Sequence, residues 1–511
     1  MKTLLIRPPA TYSKGSLNPS VGMPIGLLYI AAMLEQNGFE VEILDCQVAP
    51  ANPLIKNDDG TMQMGLPWEE ISLRITAANA DIVGISAPFS AQFHNALQTA
   101  ELVRRLIPSA LIVIGGNHPT VRHEDCFSMT DAIDLACIGE GELTMLEIVR
   151  AHSAGEATSA VAGTASRSGK NPARERITEL DSLPLPAYHL IDMEAYFSLY
   201  AQGYTERIAR RYPGSERAVS VITSRGCPFN CVFCSIHLHM GRRWRSHSVE
   251  YVKMHLDLLE SHYGVRHIHF EDDNLSADPR RFREILLLLR DRKHKFTWDT
   301  PNGVRVDSLN RDLIGLCKAS GCVYLVFGVE SGNRRVLHDV VDKNLDLDSV
   351  VNAADWCREV GLDSMAFYVI GFPGESLDDM RDTTDFALRL MRDFDVLPNL
   401  FVATPLPGTR LESICIEKGY LKQPLRPEEY ASMTQGGCFI ETDSFSRDEI
   451  IRVMSDFSGQ VKKAFINNSL RFILRHPTVL PRLFREILWL SKSLPVTKAA
   501  YRVLEFKNCL R

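Results

Sequence analysis

The amino-acid sequence predicts an α/β protein with an N-terminal doubly wound parallel sheet, a partial (β/α)6 barrel of the TIM type and a helical C-terminal region. Two patterns indicate this fold. Over residues 1–150, short apolar segments alternate with helical ones, as expected for a parallel sheet covered by helices on both faces. Between residues 216 and 415, six more strand–helix units follow one another, which is typical of a full or partial barrel.

The N-terminal domain, residues 1–150, is predicted to be Rossmann-like. Its strand candidates are residues 3–6, 41–44, 82–85, 111–114 and 135–138, with helices at 26–36 and 96–106. Parallel sheets of this kind bind ligands outside the carboxyl ends of their strands. The loops at those ends hold glycines and polar side chains that let a bulky polar ligand approach the backbone closely. The candidate ligand contacts there are Ser86, Gly115, Gly116, His118, Gly139, Glu140 and Gly141.

Residues 151–215 are predicted to form a linker and a lead-in to the second domain. Residues 152–178 are rich in Ala, Ser, Gly and Thr and show no apolar period, which is typical of a linker. Residues 181–186 follow as a short extended segment that two prolines stiffen.

The second domain, residues 216–415, is predicted to be the barrel. Its helix candidates include residues 249–261 and 280–290. The active site of such a barrel lies at the carboxyl ends of its strands. The six strand candidates are residues 219–223, 267–270, 296–299, 323–329, 365–370 and 400–403.

The C-terminal region, residues 416–511, is predicted to be helical and becomes strongly basic. Residues 451–511 hold 12 Lys and Arg against 3 Asp and Glu, whereas the first 450 residues hold 45 basic and 60 acidic side chains. Residues 470–490 alternate apolar and basic side chains, which fits helices that cap the barrel. A membrane-surface element remains the alternative. Nucleic-acid binding is not predicted, because aromatic side chains are sparse among the basic ones.

The composition is that of an ordinary globular protein, with 45% hydrophobic and 23% charged residues and a formal net charge of −6. It excludes wholesale disorder and a disulfide scaffold. The longest apolar run, residues 25–34, is too short to span a bilayer, and the N-terminus shows no signal-peptide pattern. We therefore expect a cytoplasmic protein with reduced cysteines, with contact at a membrane surface as the open alternative.

Three of the 12 cysteines form a cluster of candidate metal ligands. Cys227, Cys231 and Cys234 have the spacing C-x3-C-x2-C directly after a predicted strand. Three thiolates on one loop can each bind one iron of a [4Fe-4S] cubane and leave the fourth iron open. Zinc would need a fourth ligand, which His237 or His239 could supply. The strand before the loop and the barrel pattern after it favour the iron–sulfur interpretation.

At these residues the sequence resembles the radical S-adenosylmethionine (SAM) enzymes, including the aromatic Phe233 before the third cysteine. Residues 269–274, 328–332, 368–375 and 404–409, each after a predicted strand, extend the resemblance. It implies that the open iron chelates SAM, whose reductive cleavage makes a 5′-deoxyadenosyl radical. It also implies SAM contacts at Asp272, Asp273, Glu330, Ser331, Gly371, Gly374 and Glu375, and it assigns no catalytic residue.

The first 150 residues resemble the cobalamin-binding domain of class B radical SAM methyltransferases. The matching segments are residues 7–9, 24–29, 81–86, 115–118 and 139–142. The resemblance implies that the loop contacts named above bind cobalamin. One departure concerns the lower face of cobalt. Residues 7–24 contain no histidine, whereas many cobalamin domains place an Asp-x-His-x-x-Gly motif there. We therefore expect cobalamin without an axial histidine, and we count His118 as a contact and not as a cobalt ligand.

The resemblance implies a cobalamin-dependent radical SAM methyltransferase that methylates an unactivated carbon of a small-molecule or lipid-like substrate. One SAM would methylate cobalamin, and a second SAM would yield the radical. A flavodoxin- or ferredoxin-type protein would supply electrons. Oxidative cyclisation or ring rearrangement with the same cofactors stays open. A non-catalytic cobalamin sensor fits less well, because a sensor needs no open iron. Methylthiotransfer fits poorly, because Cys46, Cys126 and Cys137 lack the spacing of a second cluster.

Overall fold

Two parallel sheets organise the chain in the computed structural model, which describes residues 1–12, 19–205, 215–421, 429–430 and 437–475. The predicted fold class is confirmed. The N-terminal elements are β1 Lys2–Arg7, β2 Ala10–Tyr12, α1 Ile25–Gln36, β3 Glu40–Asp45, β4 Leu54–Lys56, β5 Met62–Met64, α2 Trp68–Ala78, β6 Ile82–Ser86, α3 Phe93–Leu106, β7 Leu111–Gly115, α4 Asn117–Val121, α5 His123–Ser128, β8 Leu135–Cys137, α6 Gly141–Ser153, β9 Thr164–Ser166 and β10 Gly169–Lys170.

The first sheet has the strand order β10-β9-β8-β7-β6-β1-β3 and is parallel from β3 to β8. Successive residues of strand β1, which lies between β6 and β3, face two separate cores. Leu4 and Ile6 pack with the α2 and α3 side chains, and Leu5 packs with those of α1 and α6. This burial on both faces explains the unbroken apolar pattern of the strand. Strands β2, β5 and β4 form a small antiparallel sheet of their own.

The segment 152–178, which the sequence predicts to be a linker, differs from that expectation. Its strands β9 and β10 extend the first sheet as antiparallel strands. Thr164 and Ala165 of β9 are fully buried although neither is large. A strand of three small residues shows no apolar alternation, and this explains why composition alone indicated a linker.

The lead-in that follows contributes side chains to both cores. Ile177, Leu180 and Leu183 are buried in the core that α1 and α6 cover. Tyr188 and Met193, only a few residues later, are buried in the core of the barrel. The lead-in therefore contributes apolar side chains to the core of each of the two domains.

The second sheet is parallel and follows chain order, β11-β14-β15-β16-β17-β18. This is the predicted six-stranded partial barrel. Its elements are α7 Met193–Ala201, β11 Ala218–Val221, β12 Ser224–Arg225, α8 Ile236–His239, β13 Arg245–Ser246, α9 Val249–Tyr263, β14 His267–Phe270, α10 Pro279–Asp291, β15 Thr297–Asp299, α11 Arg311–Ala319, β16 Cys322–Glu330, α12 Leu347–Val360, β17 Asp363–Ile370, α13 Leu377–Phe394, β18 Leu397–Val402, α14 Arg410–Glu417 and α15 Arg447–Arg475.

Local signals in the sequence start the barrel helices. Asp278 accepts hydrogen bonds from the amides of Arg280 and Arg281, and Pro279 opens α10. Ser376 and Asp379 form a capping box at the start of α13. These caps start α10 and α13 directly after the loops that follow β14 and β17. The two loops therefore stay at the carboxyl edge of the sheet.

Helix α15 packs on the barrel through Ile450, Phe457 and Ala464, which are buried. Its first half thus covers the barrel. Most of the alternating segment 470–490, which raised the membrane alternative, lies outside the described residues. Among the helices that the structure describes, none is long and apolar enough to cross a bilayer.

Candidate active site

The three clustered cysteines lie on a loop that the antiparallel pair β12 and β13 closes at its base. Cys227, Cys231 and Cys234 are half-buried and unpaired. Gly226 opens the loop with a φ of 86°, and a Cβ there would lie 2.6 Å from the carbonyl oxygen of Arg243. Only glycine fits this close approach. The side-chain amide of Asn274 donates to Cys227 Sγ at 3.9 Å.

The structure weighs against zinc at these cysteines. Zinc bonds of about 2.0–2.3 Å place tetrahedral ligand atoms roughly 3–4 Å apart. Among the described residues, one group of His, Cys, Asp and Glu brings three ligand atoms within 4.8 Å of one another, and it contains no cysteine. The thiols therefore form no zinc tetrahedron with His237 or His239 here. Three half-buried thiols on one loop suit the cubane interpretation.

The two aspartates after β14 hold the start of the cysteine loop. Asp272 accepts hydrogen bonds from the hydroxyls of Thr223 and Ser224. Asp273 accepts one from the amide of Gly226 at 2.7 Å, directly before Cys227. Burial raises the pKa of Asp273 to about 6. Both predicted SAM contacts thus lie at the cysteine loop, and their binding role stays a prediction.

Glu330 adopts a left-handed backbone conformation, with a φ of 72°, at an irregularity in the β16–β17 pairing. Such a conformation is costly for a side chain with a Cβ and is found where a site requires it. The Lys343 ammonium lies 2.7 Å from Glu330 Oε1 in a buried pair. Ser331 is fully buried and bonds Thr383 Oγ1 at 2.8 Å, which fixes the loop after β16.

The loop after β17 is held in place by Glu375, which is itself one of the predicted SAM contacts. Glu375 accepts hydrogen bonds from the amides of Gly371 and Phe372, both at 2.7 Å. Burial raises the pKa of this carboxyl to about 8. Gly371 and Gly374 both have a left-handed backbone conformation. The geometry thus gives Glu375 a role in shaping the loop, while contact of the three residues with SAM stays a prediction.

The predicted cobalamin contacts follow three neighbouring strands. Ser86 ends β6 and Gly115 ends β7. A Cβ at Gly116 would lie 2.6 Å from the carbonyl oxygen of Ala87, so these two loops touch. Gly139 has a φ of 82°, and a Cβ there would meet open space. Gly141 instead packs against the Ile30 side chain, where a Cβ would lie 2.9 Å away.

His118 is buried inside the N-terminal domain. Its Nδ1 lies 2.8 Å from Ser90 Oγ, and its ring centroid lies 3.9 Å from that of Phe93. Its Nε2 lies 3.4 Å from an Asp125 carboxylate oxygen. Both ring nitrogens thus lie near side chains of this domain, and the expectation that His118 is not a cobalt ligand stays a prediction.

Glu140 takes part in a buried charge network that the sequence analysis missed. Arg225 donates to Glu140 at 2.8 Å and to Glu142 at 2.6 Å, and Arg245 donates to Glu140 at 2.8 Å. Burial alone would raise the pKa of Glu140, but the two guanidinium groups lower it below its ordinary value. The network ties the start of α6 to the strands that close the cysteine loop. No local signal links residues so distant in the chain.

A cavity of about 210 Å³ opens beside Gly139, between the N-terminal domain and helix α8. Its lining combines Leu238 of α8 with charged side chains of both signs, namely Lys170, Arg174, Arg176, Glu140 and Glu175. Arg174 is paired with Glu147 at the cavity wall.

A doubly wound domain that precedes a barrel with three thiols at its first loop defines a radical SAM enzyme with a cofactor-binding domain. A B12-binding domain model matches residues 19–149, and a radical SAM superfamily model matches residues 221–387. The chain is 32% identical over 425 residues to an uncharacterized methyltransferase of Pyrococcus horikoshii, covering 82% of this chain and 84% of that protein. The chain belongs to the cobalamin-dependent radical SAM methyltransferase family.

Two further comparisons support this assignment. The chain is 30% identical over 462 residues to the cytidylyl-2-hydroxyethylphosphonate methyltransferase of Streptomyces wedmorensis, covering 84% of this chain and 83% of that protein. The fold matches the methyltransferase TsrM of Kitasatospora setae, solved with cobalamin and a [4Fe-4S] cluster, with a TM-score of 0.65 and 17% identity over 90% of this chain and 88% of that one. A more distant relative, 24% identical, is the anaerobic magnesium-protoporphyrin IX monomethyl ester cyclase of Rubrivivax gelatinosus, with 92% of this chain and 78% of that protein covered.

The cofactors of the family are a [4Fe-4S] cluster, SAM and cobalamin, and the residues present fit them. The three thiols and the tight turn at Gly226 suit a cubane with one open iron. The left-handed Gly116 and Gly139 lie beyond the carboxyl ends of their strands, where a doubly wound sheet binds its ligand. Eight other cysteines of the described chain are buried, as expected for small core residues.

Proposed function

We propose that the protein transfers a methyl group to an unactivated carbon of a small molecule. The observation that carries this proposal is the pair of relatives at 30% identity or more, which span over four-fifths of both chains and are both named methyltransferases. The bound cofactors supply the radical and the methyl group in this chemistry. The chain's own residues bind and orient these cofactors and exclude water.

Each predicted site residue has a place in this proposal. Cys227, Cys231 and Cys234 hold the cluster, with Asp273 shaping the first turn of their loop. Of the predicted SAM contacts, Glu330 ends strand β16, and Gly371 directly follows the neighbouring strand β17. The loops after β6, β7 and β8 hold cobalamin, beside the cavity at Gly139. Arg225 connects the loop after β8 with the cysteine loop, which sets the distance between the two cofactors.

Isotope-labelled SAM tests the proposal. The anaerobically reconstituted protein is given SAM with a trideuterated methyl group and a metabolite extract from cells that lack the enzyme. We expect S-adenosylhomocysteine, 5′-deoxyadenosine and a product that carries the deuterated methyl group. The Cys234→Ala variant should lose 5′-deoxyadenosine formation, whereas Cys438→Ala, which alters a buried cysteine outside the loop, should keep it.

Oxidative cyclisation is the second candidate function, and the cyclase among the relatives favours it. It predicts 5′-deoxyadenosine together with a product that has lost hydrogen and carries no deuterium. That result, with no S-adenosylhomocysteine, would contradict methyl transfer while leaving the radical chemistry intact.

The partners belong to the same proposal. We expect a flavodoxin- or ferredoxin-type electron donor, a cytoplasmic location and a small-molecule substrate. If the substrate is lipid-like, we also expect the protein to contact the membrane surface. Co-sedimentation with anionic liposomes, comparing the full chain with one that ends at Gly459, tests that contact. Equal pelleting of the two would end the membrane hypothesis.

A further inference from the structure

A group of metal-binding side chains lies inside the barrel, apart from the cysteine loop. His267 and His269 are on β14, and Asp299 is on the neighbouring strand β15, where it pairs in register with His269. Ile268, Phe270 and Trp298 point the other way, and the Trp298 ring meets Phe270 and the α10 side chain Phe282. The two histidines and the aspartate therefore project into the barrel interior.

The three side chains are all buried, with His267 at 0%, His269 at 6% and Asp299 at 3% exposure. Each offers one ligand atom within 4.8 Å of the other two. His269 Nδ1 lies 2.7 Å from one carboxylate oxygen of Asp299, and His267 Nε2 lies 3.5 Å from the other. Bonds of about 2.0–2.2 Å to one central ion place tetrahedral ligand atoms roughly 3–4 Å apart, a spacing that small side-chain shifts would give these three atoms.

The surroundings of His267 orient one of its nitrogens toward the centre of the group. The hydroxyl of Thr297 lies 2.7 Å from His267 Nδ1 and 3.4 Å from the carbonyl oxygen of Arg266, so Nδ1 has a partner outside the group. His267 Nε2 is fully buried, faces the Asp299 carboxylate and makes no hydrogen bond. A buried polar atom without a hydrogen-bond partner is costly, and a metal ion between this nitrogen and the carboxylate would interact with both. Metal-bound histidines commonly donate their other N–H to such an outer partner.

We propose that His267, His269 and Asp299 bind a divalent transition-metal ion, with Zn²⁺ as the probe, at a site distinct from the [4Fe-4S] cluster. Two imidazoles and one carboxylate are a donor set that binds zinc and ferrous iron. The site contains no thiol, so its ion has nitrogen and oxygen ligands only. This proposal is independent of the proposed methyl transfer.

Zinc binding to the cluster-loaded, cobalamin-loaded protein tests the proposal. With the cysteines occupied by the cluster, we expect about one tightly bound zinc per chain after dialysis. Zinc K-edge X-ray absorption should show nitrogen and oxygen neighbours with imidazole scattering and no sulfur. His267→Gln and Asp299→Asn should lose this zinc while keeping the cluster iron. His255→Gln removes a buried histidine that bonds Tyr188 instead, and it should keep the zinc.

A gentler variant protects the test against misfolding. Thr297→Val removes the outer partner of His267 and should weaken zinc binding by roughly 10–100-fold without removing a ligand. Wild-type protein that retains no zinc, or zinc with sulfur neighbours, would overturn the proposal.

Discussion

At the scale of single residues, Asn274 connects the barrel to the electronic properties of the cluster. Its side-chain amide donates to Cys227 Sγ at 3.9 Å, and its backbone carbonyl oxygen accepts from the Trp244 indole at 3.0 Å. Hydrogen bonds to ligating sulfur stabilise the electron-rich reduced cluster and raise its potential. We therefore predict that Asn274 tunes how readily a cluster bound at Cys227 accepts an electron.

Replacing Asn274 by Leu keeps the volume and removes the donor. We expect the midpoint potential of the cluster to fall by about 40 mV, since a hydrogen bond contributes about 1 kcal/mol and the couple transfers one electron. EPR-monitored redox titration measures the shift. The Trp244→Phe variant loosens the same loop without removing the sulfur contact, so an equal fall there would contradict the assignment.

Glu375 makes the stability of the protein depend on pH in an unusual direction. Burial raises its pKa to about 8 from an ordinary value of 4.5, so the folded chain binds this proton more tightly than the unfolded chain. Its contribution to folding is fully present below pH 4.5 and is lost as the pH rises through about 8.

The Glu375→Gln variant removes this dependence, because the amide oxygen can accept the same two backbone hydrogen bonds without a charge. Between pH 7 and pH 9, we expect the wild-type chain to lose about 1 kcal/mol more stability than the variant. Thermal unfolding of both proteins across this pH range measures the difference. Parallel losses in the two proteins would contradict a raised pKa.

At the scale of elements, the β12–β13 pair and the start of α6 share one charge network. Arg225 and Glu142 are 5% and 4% exposed, so removing one partner leaves the other charged and desolvated. The Arg225–Glu142 pair therefore fixes the relative position of the two elements more than it adds to the net stability of the fold. It holds the cysteine loop against the loop that follows β8.

Replacing Arg225 by Met should destabilise the cofactor-loaded chain by about 3–5 kcal/mol. The double variant Arg225→Met with Glu142→Leu should recover part of that loss, because no buried carboxylate is then left unpaired by the change. Arg74→Met, which breaks an exposed pair with Glu70, is the control and should cost less than about 1 kcal/mol. Additive losses in a double-mutant cycle measured by thermal unfolding would show that Arg225 and Glu142 act independently.

At the scale of the whole molecule, helix α15 packs against the loop that shapes the predicted SAM site. Ile450 is fully buried, and a Cβ at Gly371 would lie 3.0 Å from its Cδ1. Ile450→Ala should cost about 2–5 kcal/mol and weaken SAM binding. The adjacent Ile451 is 51% exposed, and Ile451→Ala should change stability by no more than about 0.5 kcal/mol. Calorimetry and SAM titration of the two variants measure both effects.

The sequence was sufficient for what depends on neighbouring residues. The cysteine spacing, the glycines at strand ends and the strand–helix alternation are local patterns, and the structure confirms the fold that they predict. The contact between Arg225 and Glu142 joins residues far apart in the chain, and no pattern predicts it. The His267 and His269 pair did carry a signal, since residues two apart on a strand share a face. Its partner Asp299 becomes visible only when the strands are paired.

The apolar lead-in between the sheets has a consequence for chimeras. Ile177 and Leu183 fill the core beside α1 and α6, and Tyr188 and Met193 fill that of the barrel. If the N-terminal domain of a relative were joined to this chain at residue 150, Ile177 and Leu183 of this chain would have to pack in the core of the relative's sheet, for which they were not selected. A junction placed after Leu183 keeps Ile177 and Leu183 on the same side of the junction as the sheet that they pack against.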